Sequence, residues 1–247
     1  MDDHAPLRIG MLTPSSNTVV EPLVAGMLTD LPEVSAHASR LRVTEISLKD
    51  DSQDQFAMEP MLAAGELLAD ARVGVMGWNG TSASWLGFEL DRKLCEAMTI
   101  RFGVPATSAV LAVNEILETL GCRRIAMVTP YDDEVQARIL AQYGEAGYEC
   151  VAERHMGERV NYVFAEITDE EIRRLIREVA ADMPDAVIVM CTNMRAAHLV
   201  DRLEQEIGVP IIDSLAAYVW KSLRLGGVDT GRIHGWGRIF SGGETGE

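Results

Sequence analysis

Apolar residues along this chain gather in short runs, separated by longer stretches with an amphipathic pattern, which is the alternation expected of strands and helices. In the first half the pattern predicts strands near 7–13, 37–43 and 72–78, and helices near 17–29, 55–69, 84–101 and 108–120. In the second half strands fall near 123–129, 148–154 and 185–190, with helices near 133–145, 169–182, 194–207 and 214–225. Thr168, followed by Asp169, Glu170 and Glu171, marks one helix start, with Glu171 placed as in a capping box. Strands that alternate with helices build parallel sheets covered on both faces, because a parallel crossover needs a helix-length connection.

The two halves are written in the same order. RIGMLTPSSN (8–17) resembles RIAMVTPYDD (124–133), and VGVMGWNGTSAS (73–84) matches AVIVMCTNMRAA (186–197). Each half then runs through a helical stretch into GVP, at 103–105 and 208–210. The predicted fold class is therefore α/β, two Rossmann-like doubly wound lobes related by a pseudo-twofold axis. Residues 1–110 with part of 214–247 are expected to form the N-terminal lobe, and 111–213 the C-terminal lobe. Ligands of such sheets bind beyond the carboxyl ends of the strands. TPSSN, WNGTS, TPYDD and MCTNM would then face one crevice.

Composition narrows the chemistry. The chain has 247 residues, 47% of them hydrophobic, enough for a substantial core. Its start, MDDHAPLRIG, is acidic, and no eighteen uncharged apolar residues follow one another, so neither a secretory signal nor a membrane segment is expected and the protein is placed in the cytoplasm. A formal charge of −16 with only three lysines (Lys49, Lys93, Lys221) repels phosphate backbones and argues against nucleic acid as a partner. Four cysteines and five histidines show no ligand spacing, so no disulfide framework and no metal site is read from them. No GxGxxG follows the first strand, which disfavours a nicotinamide cofactor. The Gly-rich end after Phe240 is expected to be disordered.

Candidate chemistry lies at the four strand ends. Ser15, Ser16 and Asn17 are helix-cap residue types and can serve as nothing more; alternatively their hydroxyls, amide and backbone N–H groups form a carboxylate site without lysine or arginine. Aligning Thr81 with Thr192 sets Gly80 opposite Cys191. Glycine lets a substrate approach the backbone, whereas a thiol can donate a proton, take one or attack. Cys191 is either a packed thiol closing an apolar strand or a reactive one whose pKa a following helix N-terminus lowers. Cys95, Cys122 and Cys150 compete less, lying mid-helix, before a strand and within one. Tyr131 can aim its phenol into the crevice as a donor, while Trp78 and Trp85 flank the Gly80 loop as apolar walls or as core.

PSSNTVVEP (14–22), GTSAS (80–84), VTPYDDEV (128–135), CTNMR (191–195), DSLAA (213–217) and GWGRIF (235–240) together resemble the aspartate/glutamate racemase superfamily, within it the branch of maleate cis-trans isomerases and arylmalonate decarboxylases. The resemblance covers nearly the whole chain. It implies an active site between two lobes, no cofactor, no metal, and a homo-oligomer. In the racemases and isomerases two cysteines, one per lobe, face opposite sides of the substrate; here the second matches Cys191 and the first falls on Gly80. The decarboxylases resemble this chain in having Gly-Thr-Ser in the first lobe and a single cysteine in the second.

Carried across, Thr81, Ser82 and Tyr131 match the donors that hold a carboxylate and its developing enediolate, and Asn17 matches the isomerases' carboxylate-binding Asn. The candidate catalytic residues are thus Cys191 and Tyr131, and the candidate substrate contacts Asn17, Ser15, Gly80, Thr81, Ser82, Thr192 and Asn193. The expected activity is a cofactor-independent lyase acting on a small malonate-type dicarboxylate, with Cys191 protonating the carbanion. Isomerisation of maleate or a related cis-enedioate through Cys191 is the close alternative, and a non-catalytic two-lobed binder of small carboxylates the alternative from another class.

Overall fold

In the computed structural model, which describes residues 6–46, 48 and 54–241, the repeat in sequence becomes a repeat in topology. The first unit contains β1 (Leu7–Pro14), α1 (Val20–Met27), β2 (Val34–Leu41), α2 (Met58–Asp70), β3 (Val75–Trp78), α3 (Ala83–Leu86), α4 (Phe88–Phe102), β4 (Ala106–Ser108) and α5 (Ala109–Thr119). The second contains β5 (Arg124–Thr129), α6 (Asp133–Glu145), β6 (Glu149–His155), α7 (Asn161–Phe164), α8 (Asp169–Ala180), β7 (Ala186–Val189), α9 (Val200–Ile207), β8 (Ile211–Asp213) and α10 (Ser214–Leu225). Both sheets are wholly parallel, in the orders β2-β1-β3-β4 and β6-β5-β7-β8. The Gly-rich end beyond Ser241, expected to be disordered, lies outside the described residues. No described helix is long and apolar enough to cross a membrane.

Strand register sharpens the internal match. Val75 pairs with Ile9 as Ala186 pairs with Ile125, and the Asn79 N–H donates to Leu12 O as the Met190 N–H donates to Val128 O. Trp78 therefore corresponds to Val189 and Gly80 to Cys191, the alignment that superposes Thr81 on Thr192. The longer end-to-end match of 73–84 with 186–197 is out of register by two residues. Every residue of β7 is buried, as a strand covered by helices on both faces requires.

Several boundaries differ from the sequence pattern for local reasons. β4 and β8 span three residues each, too short for an apolar period to show. Each follows a GVP whose glycine, Gly103 or Gly208, ends a helix in the left-handed conformation. The helix expected at 84–101 divides at Gly87, where φ is +109°. The one expected from 194 begins as a short 3-10 turn at Ala197–Leu199 and becomes α9 only at Val200. At Thr168 the cap forms, its hydroxyl accepting from the Glu171 N–H at 3.2 Å, but the Glu171 carboxylate turns to Arg174 and the box stays half closed.

α10 leaves the second sheet and packs against α5 and the first sheet, where the Tyr218 hydroxyl donates to Gly10 O at 2.8 Å. Asp213 Oδ1 caps α10, accepting from the Leu215 and Ala216 N–H groups at 2.9 Å each. In α4, Asp91 is buried beside Ser108, and desolvation pushes its pKa up to about 7 against that hydrogen bond. Above the ordinary value of 3.8 the unfolded chain gives up this proton while the folded chain keeps it. Stability from Asp91 is thus full below that value and lost as pH rises toward 7, by about 1.4 kcal/mol per unit of pKa difference. Asp91→Asn is expected to flatten the fall of the urea midpoint between pH 4 and 7 and to exceed the parent at pH 8; an unchanged pH slope would count against the buried neutral acid.

Candidate active site

The four strand ends converge, as a doubly wound pair requires. After β1, the chain is gathered by Arg40 of β2, whose guanidinium donates to Ser15 O (3.0 Å) and Asn17 O (2.8 Å) and pairs with Glu21. Asn17, fully buried, turns its Oδ1 to the Val19 and Val20 N–H groups and so starts α1, while its Nδ2 donates to Thr192 Oγ1 in the other lobe at 3.3 Å. Ser16 donates to Val43 O (2.6 Å) and accepts from Asn161 Nδ2 (2.7 Å). Residues 44–46 of the first lobe meet 159–161 of the second through Ile46 N–H to Arg159 O and Asn161 N–H to Thr44 O.

These contacts border a narrow cavity of about 20 Å³. Its polar lining comes from Gly80, Thr81, Ser82, Tyr131, Asn161, Cys191 and Thr192, its apolar lining from Pro14, Val43, Ile46, Phe56, Trp78 and Trp85. Thr81 Oγ1 and Tyr131 Oη meet across the lobes at 2.6 Å. The Tyr131 ring is held edge-on by Trp85 (centroids 5.2 Å apart) and Phe164 (5.6 Å). Trp78 Nε1 donates to Ser82 Oγ at 3.1 Å, which leaves the Ser82 proton available for a ligand.

Six of the nine residues singled out in the sequence thus share one cavity: Cys191, Tyr131, Gly80, Thr81, Ser82 and Thr192. Thr192 lines it, yet its hydroxyl donates to Asn79 O at 3.0 Å while accepting from Asn17. Ser15, Asn17 and Asn193 stand outside the wall. Ser15 is exposed and accepts from the Val43 N–H at 3.2 Å; Asn193 accepts from the Thr18 N–H at 3.1 Å and donates to Asn161 O at 2.6 Å. Asn17 and Asn193 therefore join the lobes. Asn161, Val43, Ile46 and Phe56 were not signalled by the sequence, because they come from segments outside the repeated strand ends.

Cys191 is buried, 3% exposed, and forms part of the wall. Desolvation pushes its thiol up to about 12, against the Asn193 and Met194 N–H groups and the Tyr131 hydroxyl, with the neighbouring Asp213 carboxylate adding to the rise. This reverses the expected lowering by a helix N-terminus. The chain after Cys191 forms no α-helix until Val200, so no helix dipole points at the sulfur. Tyr131 is pushed well above its ordinary value by the same burial. Near neutral pH both are proton donors. Asp213, also buried, is raised to about 7 by desolvation, and its Oδ2 has no partner. Among the described residues no His, Cys, Asp and Glu cluster could hold a metal ion.

A larger surface depression between α4 and α5, lined by residues such as Arg92, Glu115, Glu118 and Arg123, mixes charges of both signs and holds none of the predicted residues.

Known proteins bear on this geometry. The sequence profile of the arylmalonate decarboxylase family matches residues 9–240. The chain is 27% identical over 235 residues to the arylmalonate decarboxylase of Bordetella bronchiseptica, with 94% of this chain and 95% of that protein aligned. It is equally 27% identical, over 254 residues, to the maleate isomerase of Alcaligenes faecalis, covering 95% and 96% of the two. A crystal structure of a doubly substituted arylmalonate decarboxylase in its liganded form superposes with a TM-score of 0.83 at 25% identity, covering 95% of this chain and 98% of the other.

Proposed function

The chain belongs to the arylmalonate decarboxylase family, whose relatives are cofactor-independent decarboxylases and isomerases of the aspartate/glutamate racemase superfamily, and from that membership we propose that it decarboxylates a small malonate-type dicarboxylate with Cys191 as the proton donor. The observation that carries this reading is the lone thiol: Cys191 lines the cavity as a protonated sulfur, and its counterpart in the other lobe is Gly80.

One substrate carboxylate lies among Thr81, Ser82 and Tyr131, where uncharged donors hold an anion in a protein of charge −16. The other is turned toward Phe56, Trp78 and Trp85, where desolvation disfavours its charge. The bond from the α-carbon to this carboxylate breaks and carbon dioxide leaves. The electron pair stays on the α-carbon and spreads into the retained carboxylate as an enediolate, which the hydroxyls stabilise. The Cys191 S–H then gives its proton to the α-carbon, and water restores the thiol.

The equal identity to a maleate isomerase supports a second reading, cis-trans isomerisation through addition of sulfur to a cis-enedioate. Addition needs a thiolate. With the thiol pushed up to about 12, only about one molecule in 10⁵ carries it at neutral pH. A panel of substituted malonates and cis-enedioates, followed by proton NMR in heavy water, separates the two. Release of carbon dioxide with one deuteron at the α-carbon is the expected result; a cis-to-trans change without loss of mass overturns it.

A further inference from the structure

The two lobes differ at a pair of positions that strand register matches. Gly80 corresponds in strand register to Cys191, and Trp78 to Val189. A Cβ built on Gly80 would lie 2.2 Å from Trp78 Cζ2, 2.5 Å from Cε2 and 2.9 Å from Cη2, distances no side chain tolerates. The ring cannot yield cheaply. Trp78 is fully buried, its Nε1 is bound to Ser82 Oγ at 3.1 Å, and Phe56 packs edge-on against it with centroids 6.3 Å apart. In the second lobe Val189 leaves room for a side chain two residues on. In the first lobe the indole fills that room.

We propose that Trp78 determines the handedness of proton delivery: by occupying the volume of a side chain at position 80, it keeps the face opposite Cys191 apolar and without a proton carrier. The proposal rests on the decarboxylase reading for its chemistry, but its steric part stands on the packing alone. Glycine at 80 is then a consequence of tryptophan at 78. Restoring a second thiol requires removing the indole first.

The test uses the full chain with Gly80→Cys, Trp78→Val and the pair together. Alone, Gly80→Cys overpacks the core and is expected to lower the thermal midpoint by about 4 °C or more. In the Trp78→Val background the same change should cost little, so the two effects are non-additive. Trp78→Phe, which keeps a ring against Phe56, replaces Trp78→Val if the latter does not fold. The second readout is loss of enantiomeric purity and α-deuteration of the product acid in heavy water. Gly80→Cys alone should racemise no faster than the parent, and the double variant at least tenfold faster. Additive midpoints, or racemisation by Gly80→Cys alone as fast as by the pair, would overturn the proposal. Absence of turnover on every malonate would refute the decarboxylase reading instead, while the midpoints still decide whether Trp78 fills the place of a side chain.

Discussion

Cys191→Ala is expected to cut turnover by about 10³-fold or more while leaving the affinity for a non-reacting carboxylate within about twofold. In the proposed reaction the sulfur is the donor that quenches the carbanion, and the groups proposed to hold the retained carboxylate lie elsewhere, on Thr81, Ser82 and Tyr131. Loss of the thiol therefore falls on kcat. The pH profile is a second, independent readout. The proposed reaction uses the thiol form, so rate should persist through neutral pH and fall only as pH climbs toward about 12, where the proton is lost. Ionisation of Asp213 near 7 adds negative charge beside the sulfur and moves that limb up, not down. Rate that rises with a pKa near 8 would mean the thiolate is the working form, and unchanged turnover in Cys191→Ala would remove the sulfur from the chemistry altogether.

Much of this was legible in the chain, because repeats and strand ends are written locally. TPSSN and TPYDD mark the ends of β1 and β5, and the GTS and CTN segments mark the ends of β3 and β7, so the convergence of Gly80, Thr81, Tyr131 and Cys191 follows from topology alone. What stayed hidden depends on packing across the lobes. Asn17 and Asn193 have the residue types of a substrate site, yet Asn17 donates to Thr192 and Asn193 accepts from the Thr18 N–H, each across the lobes. No one-dimensional pattern says which way such an amide turns. Asn161 reaches the cavity because 159–161 meets 44–46, a contact between segments more than a hundred residues apart. The thiol's raised pKa was likewise invisible: residue spacing suggested a helix beginning next to Cys191, whereas the chain delays it to Val200 and leaves burial as the dominant effect.

The asymmetry between lobes connects these observations. Duplication gives matching backbones, and a matched pair of acid-base groups is the simplest outcome of matching backbones. Here the match is broken on one side by bulk at Trp78 and kept on the other by Val189. The same indole also walls the cavity beside Phe56, where a carboxylate loses its hydration. In the proposed reaction a single large residue would thus serve both the loss of carbon dioxide and the return of a proton from one side.

Tyr131→Phe carries the second large effect, a fall in kcat of roughly 10²-fold with KM changed much less. The substitution keeps the ring edge-on to Trp85 at 5.2 Å and to Phe164 at 5.6 Å, so the wall and the thermal midpoint should survive nearly intact. Only the hydroxyl goes. That group sits 2.6 Å from Thr81 Oγ1 and, held well above its ordinary pKa by burial, remains a donor throughout the working pH range. In the proposed reaction its hydrogen bond would strengthen as charge moves from the breaking bond onto the retained carboxylate, which is why the loss is expected in the transition state rather than in binding. Thr81→Ala removes the partner and should act on the same step, with the two changes together costing less than the product of the two alone. A raised KM with kcat preserved would reduce Tyr131 to a ground-state contact and place the developing charge elsewhere in the cavity.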